Sequence, residues 1–137
     1  MNRYIVIASH GLFAKGAYES LKMFFSSLNN CKYFTAYVED YNFEKEVDTF
    51  LESITSDDEL IVFTDLLGGS VNTQLLPLTN RDHTHIISGF NFPLLVSTLV
   101  LSSEEYLSPV DIQLLIDEAK SGICYVNILA DDFNCDE

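Results

Sequence analysis

Short segments that read as apolar along almost their whole length, each followed by a helical stripe, constrain this chain more than any other feature. RYIVIAS (Arg3–Ser9) and ELIVFT (Glu59–Thr64) read as buried strands, and so do Tyr33–Val38 and His83–Ser88. Between them the apolar spacing becomes helical. Ala14, Ala17, Tyr18, Leu21, Phe24, Phe25 and Leu28 form one i, i+3, i+4 stripe, and Phe43, Val47, Phe50, Leu51 and Ile54 form a second. A short helix is expected over residues 70–76, ahead of Pro77. Residues 92–101 read as a helix with Pro93 in its first turn. Ser108-Pro109-Val110-Asp111 opens another helix with Ser as cap and Asp in the first turn; it runs to about Lys120 and stops at Gly122. Residues 123–130 read as a last strand, and the acidic stretch from about 131 reads as a frayed tail. Strands without polar alternation, separated by helices, predict an α/β fold: a parallel sheet covered by helices on both faces, in three layers.

The 137 residues read as a single domain, with no linker, repeat or low-complexity stretch. Hydrophobic residues make up 47% of the chain and charged residues 20%, which suits a globular protein. No apolar run is long enough for a bilayer, and no signal-peptide pattern is present. The three cysteines (Cys31, Cys124, Cys135) have neither disulfide-framework nor zinc spacing, which points to the cytoplasm. With 21 acids against 7 bases the net charge is −14. Nucleic acid is a poor partner for such a chain, because phosphate contacts need clustered Lys and Arg. A basic protein partner is compatible with it.

In open parallel sheets ligands sit beyond the carboxyl ends of the strands. Three of the expected strands end there in polar residues: Ser9-His10, Thr64-Asp65, and Phe90-Asn91 just after the fourth. His10 can act as base, ligand or nucleophile near neutral pH. An Asp65 carboxylate accepting the proton of one ring nitrogen would fix the tautomer and leave the other nitrogen free to attack. Gly68 and Gly69 allow close backbone approach, and a helix starting at Ser70 would offer N–H groups and a hydroxyl to an anion. Nucleophile, orienting carboxylate and anion cradle together suggest phosphoryl transfer through a phosphohistidine. Such a scheme needs neither metal nor cofactor. Ser9 and Asn91 are candidates for supporting this site.

IVIASHGLFAKGAYESLKMFF resembles the opening of the mannose-family EIIA domains of the bacterial phosphoenolpyruvate-dependent sugar phosphotransferase system. TDLLGGSV is similar to the second motif of that family, Asp-x-x-Gly-Gly-Ser-Pro, and ISGFNFPLL to its third, Gly-x-Asn-x-Pro-hydrophobic. The likeness runs to about Ala130. It implies a phosphocarrier that accepts a phosphoryl group from HPr on the histidine matching His10 and passes it to the IIB component of a sugar transporter. It implies that the aspartate matching Asp65 binds the other ring nitrogen, and that the serine matching Ser70 and nearby amides face the phosphoryl group. It implies a four-stranded parallel sheet and a homodimer in which the strand expected at 123–130 is exchanged between subunits, with the membrane reached only through the transporter. Val71 stands where the family usually has proline. Thr73 stands where it often has asparagine, while Asn72 lies one place earlier. The missing proline removes a pre-set φ from the first turn of that helix.

A similar domain serves a phosphotransfer-dependent dihydroxyacetone kinase, and a regulatory module could keep the fold without the transfer. A hydrolase is disfavoured. Adjacent Ser9 and His10 point to opposite faces of a strand, and no G-x-S-x-G elbow is present. Asp82, His83 and His85 could suggest a metal but read better as an exposed turn, and Lys15 reads as a solvated lysine near the site.

Overall fold

The computed structural model describes residues 1–135, with side chains through Ala130. Four strands, β1 (Arg3–His10), β2 (Cys31–Ala36), β3 (Glu59–Thr64) and β4 (Thr84–Ser88), form one parallel sheet in the order β2-β1-β3-β4. The helices are α1 (Phe13–Leu21), α2 (Phe43–Ser53), α3 (Ser70–Leu75), α4 (Phe92–Leu99), α5 (Pro109–Lys120) and α6 (Val126–Cys135), with a 3-10 turn at Leu76–Asn80. No helix among the described residues is long and apolar enough to cross a membrane.

Because side chains alternate across a strand, the wholly apolar strands feed two cores at once. Ile5, Ile7, Ile61, Phe63 and Ile87 pack under α1, α4 and α5 through Ala14, Leu21, Leu94, Leu95, Ile112 and Leu115. Val6, Ala8, Leu60 and Val62 pack on the opposite face under α2 and α3, through Phe43, Val47, Phe50, Val71 and Leu75. Phe63, Ile7, Leu60 and Ile61 are fully buried, and each contributes about 1.5–3 kcal/mol by leaving water. The expected three-layer α/β architecture is what the chain adopts. Cys31 belongs to the first core, and burial pushes its thiol up to about 12, so it is an inert packing residue.

Several boundaries differ from the sequence expectation. α1 ends at Leu21, although its apolar stripe continues. Phe25 and Leu28 still pack on the core, but Ser26-Ser27 and Asn29-Asn30 favour turns over helix. β2 starts two residues early and ends at Ala36, because Tyr37 adopts a left-handed conformation at φ 61°. The largest correction is at the C-terminus. The strand expected at 123–130 is not formed, and α6 occupies most of that stretch. A lone strand leaves its backbone groups without partners, whereas a helix closes them within the segment. Ile123, Tyr125, Val126, Ile128 and Leu129 remain exposed.

The strand order fixes where a ligand edge lies. β1 connects through α1 on one face, and β3 continues through α3 on the other, so the winding reverses between β1 and β3. The crevice beyond the carboxyl ends of those two strands is the switch point at which such sheets bind ligands.

Candidate functional site

His10 is the last residue of β1, and it shares the strand face of Val6 and Ala8, the face covered by α2 and α3. Asp65 follows β3 directly. Its Oδ2 accepts from the backbone N–H of His10 at 2.9 Å and lies 3.0 Å from His10 Nδ1. One carboxylate oxygen therefore holds both the main chain and the ring of the same residue. The other, Oδ1, is buried and has no partner. The side chain of Asp65 is 17% exposed and that of His10 is 38% exposed, so the acid is sheltered behind a ring that reaches solvent. A carboxylate accepting at Nδ1 assigns the proton of the neutral ring to that nitrogen, which leaves a lone pair on Nε2.

Nε2 lies 3.1 Å from Ser70 Oγ, at the start of α3. The hydroxyl of Tyr37 donates to the same Oγ at 2.7 Å. The Tyr37 ring stacks beside His10, with centroids 5.5 Å apart and planes at 21°. Tyr37 is a site residue that sequence reasoning missed. The reading carried the second strand through it to Val38, and nothing in TAYV announces a positive φ.

The glycines have separate jobs. Gly68 makes the turn at φ 76°. A Cβ on Gly69 would stand 3.2 Å from His10 Cε1 and 3.2 Å from the Leu66 carbonyl oxygen, so any larger residue here would press on the ring and on that carbonyl by a few tenths of an ångström. The Gly69 N–H already donates to Leu66 O at 3.2 Å. No side chain caps the start of α3, whose first residue, Ser70, is the one beside the imidazole. Val71, in the position where proline was the family expectation, is fully buried in the second core. The Thr64 hydroxyl donates to Asn72 Oδ1 at 3.0 Å, which ties α3 to the end of β3.

His10, Asp65, Gly68, Gly69 and Ser70 thus come together. Ser9 and Asn91 serve the scaffold. The buried Ser9 hydroxyl accepts from Ala14 N–H at 2.7 Å and holds the start of α1. Asn91 Oδ1 caps α4 by accepting from Leu94 N–H, and its Nδ2 donates to Ala119 O of α5. Lys15 is exposed on α1. His83 lies before β4 and stacks on Tyr106 at 3.6 Å, while His85 Nε2 meets Leu107 O at 3.0 Å. Among the described residues no group of three or more His, Cys, Asp and Glu side chains is placed to hold a metal.

An imidazole with its back nitrogen on a carboxylate and its front nitrogen beside a hydroxyl has the chemistry to attack an electrophile and to carry positive charge afterwards. Comparison with known proteins defines the class. Residues 4–110 match the family model EIIA-man, PTS system fructose IIA component, and the chain belongs to that family. A protein from Klebsiella pneumoniae subsp. pneumoniae MGH 78578, described as a candidate phosphoenolpyruvate-dependent sugar phosphotransferase system (PTS) permease, superposes with TM-score 0.82 at 34% identity over 93% of each chain. The PTS IIA protein associated with the fucose utilization operon of Streptococcus pneumoniae superposes with TM-score 0.75 at 30% identity over 95% of this chain and 97% of its own. The mannose/sorbose-specific IIA subunit from Enterococcus faecalis shares the fold, with TM-score 0.71 at 17% identity over 91% of this chain and 95% of its own. No curated protein matches significantly.

Proposed function

We propose that the chain is a phosphocarrier: His10 accepts a phosphoryl group from phospho-HPr and passes it to the IIB component of a mannose-family sugar transporter. The observation that carries this reading is the division of labour on one ring, with Nδ1 on Asp65 and Nε2 facing outward beside Ser70. In the forward step Nε2 attacks phosphorus in line, the P–N bond of the donor breaks, and its electron pair returns to the donor ring. The Nδ1 proton stays with His10, and the Asp65 carboxylate offsets the charge that the ring acquires. The Ser70 hydroxyl and the N–H groups at the start of α3 meet the phosphoryl oxygens.

Both transfers need a protein to dock over an exposed ring. Leu12, Phe13, Leu66 and Leu67, the chain neighbours of His10 and Asp65, are all more than half exposed and supply an apolar collar for transient docking. The net charge of −14 favours encounter with a basic carrier surface. A cytoplasmic homodimer belongs to the same proposal, and the uncovered apolar residues between Ile123 and Leu129 support a second copy there.

The test is incubation with phosphoenolpyruvate, enzyme I and HPr, read by intact mass and peptide mapping. One acid-labile phosphoryl group on His10, transferable to a IIB protein, is the expected result. An unmodified chain, or a label elsewhere, overturns the reading. Gly69→Ala is a finer probe. Its methyl group presses on the imidazole and the Leu66 carbonyl at 3.2 Å and shifts the ring by a few tenths of an ångström, so phosphorylation is expected to slow about tenfold while thermal stability changes by only a few degrees. Stopped-flow or quenched-flow rates against the melting curve separate the two.

A further inference from the structure

We infer that Tyr37 is a positioning residue for the transfer at His10: its phenol fixes the Ser70 hydroxyl on the attacking nitrogen. The inference rests on the proposed phosphocarrier reading and adds a residue to it. Tyr37 is 68% exposed, yet it is held at three points. Its backbone is at φ 61°, a left-handed conformation that is strained for a non-glycine residue and persists only where the surroundings demand it. Its ring lies along His10, and its hydroxyl donates to Ser70 Oγ at 2.7 Å. Had β2 continued to Val38, the next residue along the strand could not have turned its side chain over the end of β1, its neighbour in the sheet.

The direction of the hydrogen bonds follows from the tautomer. With Nδ1–H given to Asp65, Nε2 can only accept, so Ser70 donates to it at 3.1 Å. Ser70 has one proton, and the bond accepted from Tyr37 orients its oxygen so that this proton points at Nε2. At rest the attacking lone pair is therefore covered by a hydroxyl that is itself tethered. When phosphorus bonds to Nε2, Ser70 loses its acceptor and its O–H turns to a phosphoryl oxygen, while the Tyr37 bond keeps the Ser70 oxygen in place. No proton leaves the site in this rearrangement. Tyr37 acts through Ser70, and its ring stacking is a separate contribution that phenylalanine retains.

The experiment is a double-mutant cycle of Tyr37→Phe and Ser70→Ala, read by single-turnover phosphorylation from phospho-HPr and by the ¹⁵N resonances of the His10 ring. Tyr37→Phe is expected to slow phosphorylation about tenfold and Ser70→Ala about a hundredfold, by loss of one oriented donor. Tyr37→Phe added to Ser70→Ala is expected to change nothing further, because the residue it acts through is gone. The Nε2 resonance is expected to move in Tyr37→Phe and to stay put when the same change is made in Ser70→Ala. A Tyr37→Phe rate equal to wild type, or effects that multiply independently, overturns the role of Tyr37 while the phosphocarrier stands. A wild-type chain that takes no phosphoryl group while its Nε2 resonance still responds to Tyr37→Phe overturns the phosphocarrier reading and, with it, the role in transfer.

Discussion

Asp65→Asn is expected to slow phosphorylation of His10 by about 10²- to 10⁴-fold while leaving the fold intact. The carboxylate performs two tasks that an amide cannot combine. It accepts from Nδ1, which keeps the proton off the attacking nitrogen, and it carries a negative charge 3.0 Å from a ring that becomes cationic. Asparagine placed with its oxygen on His10 keeps the tautomer and loses the charge. Asparagine turned the other way donates to Nδ1, forces the ring proton onto Nε2 and removes the nucleophile. The His10 backbone N–H, which also needs an acceptor at the Oδ2 position, favours the first arrangement, and the unpartnered Oδ1 leaves room there for the amide NH2. The measurement is the single-turnover rate together with the two-bond ¹H–¹⁵N pattern of the His10 ring, which reports the tautomer. A rate within threefold of wild type, roughly 0.6 kcal/mol, would show that Asp65 does not support the transfer.

The three residues that bear the proposed chemistry were legible because each sits at a position where the fold rule and the local chemistry agree. Strands that are apolar throughout force a parallel sheet, a parallel sheet places its ligand edge at the carboxyl ends, and His10, Asp65 and Ser70 lie at or just beyond those ends. Asn91 shows the limit of that rule. It too follows a strand, but its side chain is occupied by the α4 cap and by Ala119 O. Tyr37 was illegible for a different reason. Its place depends on β2 lying beside β1 and on a single left-handed residue, and neither the strand order nor that torsion is encoded in a local β-branched and aromatic run. The C-terminal segment failed on period. YVNILA is too short to separate a buried strand from a helix, and the choice turns on whether a neighbouring strand exists to receive it. Glu59 was hidden inside ELIVFT, which reads as a buried strand and names no partner for its charge; the sheet register sets it opposite Arg3 and buries both.

That buried pair carries the largest expected effect on stability. Arg3 is 5% exposed and Glu59 is 0% exposed. Arg3 Nε bonds to Glu59 Oε1, and the rest of the guanidinium donates to Ser102 O at 2.7 Å, to Leu101 O at 3.4 Å and to Glu105 O at 2.9 Å. Glu59 Oε2 accepts from Leu107 N–H at 2.6 Å. The two side chains therefore stitch the loop between α4 and α5 to the amino-terminal end of the sheet, opposite the edge that holds His10. Arg3→Met would leave a fully buried carboxylate without its cation and three loop carbonyls without a donor. The expected cost is about 3–5 kcal/mol, seen as a melting temperature lower by about 10–20 °C. Arg3→Met combined with Glu59→Leu is expected to recover most of that loss, because the desolvation cost disappears with the charge, although Leu107 N–H and the loop carbonyls stay unpaired. Thermal and urea unfolding of the two single variants and the double variant measure the coupling. Independent, additive losses would mean that the pair is not the unit that holds this end of the sheet. The folded fraction of Arg3→Met at low temperature is expected to take a phosphoryl group at the wild-type rate, since the lost contacts and the reacting imidazole lie at opposite ends of β1.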